Sequence, residues 1–172
     1  MYTYKKLLLA SALSALASTG AWADTNTDSH DVTVTVPDVE LIDVDDTAVT
    51  CTLTAPTEAG SNFTDGTITS HYAITANIPV AGTPKNKIQV SVDAVPTVGA
   101  DLKVESGVPT SSGGSAASAV TLSTTAQDLV TGIGNTVDSN VSLTYTCSHT
   151  GSPIASHGSD TVSVTYTIVA ES

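Results

Sequence analysis

Val141-Ser142-Leu143-Thr144-Tyr145-Thr146-Cys147 alternates apolar and polar residues without a break. Successive side chains of an extended strand point to opposite faces, so Val141, Leu143, Tyr145 and Cys147 share one face. Working outward, the same signature returns toward the C-terminus in Val162, Val164, Tyr166 and Ile168. Toward the N-terminus it returns in Val120 and Leu122, in Leu102 and Val104, and in Ile88, Val90 and Val92. Residues 68–78 place Tyr72, Ile74, Ala76 and Ile78 on one face, and Val49, Cys51 and Leu53 read as another strand. Residues 39–44 and the run Val32, Val34, Val36 complete the set. No stretch sustains a helical period. Only residues 125–135 are ambiguous: Ala126, Leu129 and Val130 fit one helical turn, and Gly132 and Gly134 argue against more.

Turn residues punctuate these runs: Pro37, Ala55-Pro56, Asp65-Gly66, Pro79, Gly82, Pro84, Pro96 and Gly99. Residues 106–118, with Ser111-Ser112-Gly113-Gly114-Ser115, read as a low-complexity loop. Roughly nine short strands joined in this way predict an all-β fold, an antiparallel sandwich of Greek-key, immunoglobulin-like type. Cys51 and Cys147 are the only cysteines, and each sits on the apolar face of its run. A single disulfide between them is the expectation, worth about 4–5 kcal/mol in the chain-entropy account because the loop is long. No C-x-x-C or C-x-x-C-H spacing points to zinc or haem.

The first 23 residues read as a cleaved signal peptide. Lys5 and Lys6 precede the apolar run Leu7 to Leu16, and Ala21-Trp22-Ala23 supplies a small-x-small cut before Asp24. That apolar run is too short to span a bilayer, and no membrane-spanning segment is expected in the mature chain. Residues 24–37 then form an N-terminal arm and 38–172 the sandwich domain. The reading places the protein outside the cytoplasm, in the periplasm or at the cell surface.

Composition narrows the partners. All 17 acidic residues lie at or after Asp24, against Lys85, Lys87 and Lys103 and no arginine. Such a chain cannot neutralise a phosphate backbone, which excludes nucleic acid and anionic lipid surfaces. After residue 23 only Phe63, Tyr72, Tyr145 and Tyr166 are aromatic, too few for the stacking platforms of a sugar-binding module.

Catalytic motifs do not emerge. There is no G-x-S-x-G elbow, and His149 and His157 fall in a Ser/Gly loop and read as surface residues. The chain reads as a non-enzyme without a cofactor. Asp43, Asp45 and Asp46 supply three carboxylates within four residues and are the candidate calcium site, set against a solvated strand end. The polar leader 24–31 followed by Val32, Val34 and Val36 is the candidate assembly arm: strand A of a closed monomer, or a strand lent to a neighbour.

With its signal, alternating arm, single disulfide, sparse aromatics and closing strand Asp160-Thr161-Val162-Ser163-Val164-Thr165-Tyr166, the chain resembles exported bacterial fimbrial and pilus subunits. Its ending looks like that of spore-coat-U-type domains. Cys51 and Cys147 stand farther apart than the early pair of chaperone–usher subunits. The resemblance implies a structural subunit of an extracellular filament, polymerising with copies of itself by β-strand donation and served by export and assembly machinery. The alternative is a soluble secreted or periplasmic binding module, calcium-dependent through the three aspartates.

Overall fold

The computed structural model describes residues 27, 29–149, 151 and 154–172. The signal-peptide reading and Asp28 lie outside them. The chain divides into two units, Met1–Thr35 and Val36–Ser172. In the first, the described residues carry no strand or helix, and Val32 and Val34 are 72% and 82% exposed.

The second unit is all-β, as its alternation predicts. Its strands are β1 (Glu40–Val44), β2 (Gly66–Ala76), β3 (Asn86–Val92), β4 (Asp101–Ser106), β5 (Ser115–Ala116), β6 (Val120–Thr121), β7 (Gln127–Ile133), β8 (Thr136–Ser148) and β9 (Val164–Ala170). They form two antiparallel sheets, ordered β1-β2-β8-β4-β6 and β5-β7-β3-β9. One face of each strand faces the other sheet. Tyr72, Ile74 and Ala76 of β2, Ile88, Val90 and Val92 of β3, and Val141, Leu143 and Tyr145 of β8 are all buried there. Val104, Leu129, Val130 and Ile133 complete the centre of this core. A buried side chain of this size contributes about 1.5–3 kcal/mol, so the alternation is itself the main source of stability.

Three expectations need correction. Residues 125–135 make no helical turn; β7 occupies 127–133, and Gly132, with a positive φ of +69°, sits where its register with β3 shifts. Val49, Cys51 and Leu53 do not lie on a strand, since residues 45–65 contribute only an isolated bridge between Thr54 and Thr64. The segment lies against the start of β2, with the Thr52 carbonyl beside Gly66, yet forms no ladder with it. The loop 106–118 is anchored as well as flexible in composition: Ser115–Ala116 pairs with β7, and the Ser112 hydroxyl donates to the Pro109 carbonyl.

The two long margins of the sandwich differ. On one, residues 115–123 cross between the sheets. Ala117 N donates to Leu129 O, Leu122 N to Leu102 O, and Val92 N to Ser123 O, so the backbone laces that margin shut. On the other, β1 pairs only with β2 and β9 only with β3, and no described backbone hydrogen bond joins β1 to β9. Replacing Leu143 by alanine should cost about 2–5 kcal/mol, read as a lower urea midpoint with unchanged slope. Ser142→Ala, on the exposed face of the same strand, should stay within about 0.5 kcal/mol.

Candidate functional site: an open seam between the sheets

The open margin is apolar on the inside. Ile42 and Val44 of β1, Ile68 of β2, and Val164, Tyr166 and Ile168 of β9 face inward, yet each is only partly buried. Their counterparts on β3, β7 and β8 are sealed. The same alternation therefore produces fully covered residues on the central strands and half-covered ones toward both margins, since Leu102, Ala116 and Val120 on the laced side are also only partly buried; what sets the β1–β9 margin apart is that no described backbone hydrogen bond crosses it. Along that side β9 also presents unpaired backbone, because its ladder with β3 uses one edge only.

At one end the seam widens into a cavity of about 730 Å³. Leu53, Phe63, Ile68, Leu102, Tyr145 and Val162 give it apolar walls. Across it, the Tyr145 hydroxyl of one sheet meets the Tyr166 hydroxyl of the other at 2.6 Å. Burial pushes both phenols above their ordinary range, so the pair stays neutral and shares a hydrogen bond.

Cys51 and Cys147 form the expected disulfide, with Cα atoms 6.0 Å apart. It ties β8 to the irregular segment 45–65, and so has a different part from the strand-to-strand link that the alternation suggests. Gly66 lies against the bond, and a Cβ there would run into the Thr52 carbonyl and touch Cys147 Sγ. His149, which reads from sequence as a surface residue, is buried at the same end. Its Nδ1 meets the Gly99 carbonyl, which makes Nδ1 the hydrogen-bearing nitrogen and leaves Nε2 buried with no partner among the described residues. Its ring packs edge-on against Phe63, and Asn62 Nδ2 donates to its carbonyl at 3.1 Å.

Asp160 closes this end. Its carboxylate accepts from the Thr97 amide, from the Thr97 hydroxyl at 3.0 Å and from the Val98 amide at 3.0 Å. At the opposite end Asn77 holds the point where the arm joins the sandwich. Its Nδ2 donates to Pro37 O at 2.8 Å, its Oδ1 accepts from Val39 N at 2.9 Å, and its own amide donates to Val39 O. Nearby, the Glu171 amide donates to Lys85 O, and the Glu171 carboxylate accepts from Gly132 N. A more open recess of about 540 Å³ beside Asn77 is lined by Thr, Asn, Ser and Val and holds no ionisable group.

The sequence-derived site residues are thus distributed as follows. Val36 is 76% exposed at the start of the second unit, and Val32 and Val34 belong to the first. Asp43 alternates with the inward Ile42 and Val44, which puts it on the outer face of β1. The Asp45 carboxylate accepts from Thr47 N at 2.9 Å, and Asp46 is exposed. Among the described residues no three His, Cys, Asp or Glu side chains are grouped to hold a metal ion. No described helix is long and apolar enough to cross a membrane. Sequence reasoning missed Asn77, the Tyr145–Tyr166 pair and the crossing at 115–123. Only Asn77, a turn-forming residue directly after an alternating run, carried a local signal.

No protein-family model and no curated protein matches the chain.

Two exposed carboxylates give a pH test. Hydrogen bonds from the Thr97 amide and then its hydroxyl hold Asp160 below the ordinary aspartate value, and the Thr110 amide does the same for Asp138. A lowered folded value stabilises above the unfolded value and is lost as pH falls through the folded one. The melting temperature should be level from about pH 7 to 5 and drop below about pH 4. Asp160→Asn should make that acid limb shallower.

Proposed function

We propose that this protein is the structural subunit of an extracellular filament, polymerising when the arm Val32–Val36 of one copy enters the open seam of the next. One observation carries the reading: a sandwich laced by backbone hydrogen bonds across one margin and, among the described residues, not across the other, in a chain whose alternating residues 32–36 form no strand. Under this reading the module is immunoglobulin-like with Greek-key connections, exported through residues 1–23. The sheet orders, in which β8 lies between β2 and β4 and β3 between β7 and β9, are compatible with such connections. The disulfide fits an oxidising compartment.

Size and chemistry agree. Five residues in a strand extend about 17 Å, and at about 4.8 Å between strands and 10 Å between sheets they sweep roughly 800 Å³. The cavity end of the seam offers about 730 Å³. Burying three valines contributes about 1.5–3 kcal/mol each, and new backbone hydrogen bonds add to this. Ordering the arm and joining two molecules offsets part of it.

Polarity follows from connectivity. β9 runs from Val164, opposite Val92, to Ala170, opposite Asn86, and Asn86 Nδ2 donates to Asn77 O. Its C-terminal end therefore lies at the Asn77 end, where each arm begins. Head-to-tail stacking sets one subunit's Asn77 end against the next one's cavity end. The arm then enters with its Val32 end leading and Val36 at the mouth, and runs antiparallel to β9, the slightly stronger pairing. Each copy gives and receives through different surfaces, so the contact repeats without closing and yields a fibre.

Negative-stain microscopy of the purified mature chain should show fibres. Val34→Asp should reduce sedimentable polymer by at least about 100-fold, since it places a carboxylate where a buried valine belongs. Removing residues 24–36 should leave folded monomers. A wild-type chain that stays monomeric, with a truncated form that loses its β signal in circular dichroism, would show the arm to be a strand of its own subunit.

A further inference from the structure

The seam has a second wall that the strand assignment does not reveal. Val49–Leu53 is extended and alternating, yet its backbone makes no hydrogen bond to other backbone among the described residues. It lines the widened end of the seam, which is walled on its other side by residues 155–164 leading into β9. Cys51 and Leu53 are half-buried, while Thr50 and Thr52 are exposed. An extended segment with free backbone, placed across an apolar gap from an edge strand, offers half of a pairing site.

Little else fastens this wall. From residue 46 to residue 63 the described ties to the sandwich are the Cys51–Cys147 bond, the Cys147 amide donating to Cys51 Sγ at 3.1 Å, the close approach of the Thr52 carbonyl to Gly66, and at the far end the Asn62 side chain on His149 O and the Phe63 ring against His149. The Thr54–Thr64 bridge is internal to the segment. The strand ladders of the core do not involve it.

Resting on the strand-donation reading, we propose that Val49–Leu53 is the second strand-pairing surface for the incoming arm of another copy, and that the Cys51–Cys147 disulfide holds it in place. The arm then pairs with β9 on one edge and with residues 49–53 on the other, bridging the two sheets where the subunit's own backbone does not. Assembly competence becomes conditional on oxidation, while the fold is not. A reduced chain keeps its core and lacks a finished acceptor, which confines polymerisation to a compartment where disulfides form.

The test uses the full mature chain, with a photo-activated benzophenone side chain in place of Thr33 and two isotopic labels to mark copies. Crosslinks from the labelled arm to both 49–53 and 164–168 of another copy are the expected result. Crosslinks to 164–168 alone would overturn this second wall and leave strand donation standing; the absence of any link between copies would overturn both. In parallel, the paired substitution Cys51→Ser with Cys147→Ser should retain the β signal in circular dichroism yet form at least about tenfold less sedimentable polymer. Undiminished polymer from that variant would refute the role given to the disulfide. Should the variant lose its fold, the crosslink map in the oxidised chain still decides the pairing surface.

Discussion

Everything in the second unit depends on apolar side chains of two facing sheets meeting over a gap of about 10 Å. Leu143, Val104, Ile88 and Leu129 fill the middle of that gap and are wholly covered. A sandwich must also be closed at its margins, or inward residues near the edge remain wet. Here one side solves the problem with its own backbone, through the crossing of residues 115–123 between the sheets. The other side has no such crossing among the described residues, and Ile42, Val44, Val164, Tyr166 and Ile168 there are partly buried, as Leu102 and Val120 are on the laced side. That asymmetry is the physical content of the functional reading. Edge strands with apolar interiors and free backbone are hazards that proteins usually blunt or cover, and an uncovered one asks for a partner.

Charge sets the terms on which copies of this chain can meet. The whole sequence has a formal charge of −12, so approach between subunits is opposed at long range. Salt screens exposed charges beyond about 10 Å at 0.1 M, whereas the burial of valines and the pairing of backbone do not depend on charge at all. An assembly made through an apolar seam is therefore the kind that an acidic protein can sustain. Lys87 is already engaged with Asp128 at 3.0 Å, so it has little to offer a neighbour.

The strands of the core were legible from their alternation, and the reasons are local. Val141 to Cys147 bury every second residue because the strand is central and has a partner on both sides. The sulfur pair was also legible, since two cysteines on the apolar faces of their runs have one way to pair. What alternation does not carry is whether a segment lying beside an edge forms a ladder with it. Val49, Cys51 and Leu53 have the pattern of a strand and no ladder, while Gln127–Ile133 has a weaker pattern and a full place in its sheet. His149 was misjudged for a related reason: its Ser/Gly surroundings suggest solvent, but the adjacent disulfide draws the chain inward and Phe63 covers the ring.

The position of the lysines has a consequence for resistance to proteolysis. Lys87 and Lys103 sit within β3 and β4, and the Lys85 carbonyl is held by the Glu171 amide. The long connections at 45–65, 93–100, 107–114 and 149–163 contain no lysine or arginine. Digestive enzymes that cut after basic residues need a loose stretch of chain to grip, and in this unit every basic residue is woven into a ladder or pinned beside one. Such enzymes must wait for the sandwich to unravel before they find a bond to cut, so in their presence its lifetime follows its folding stability.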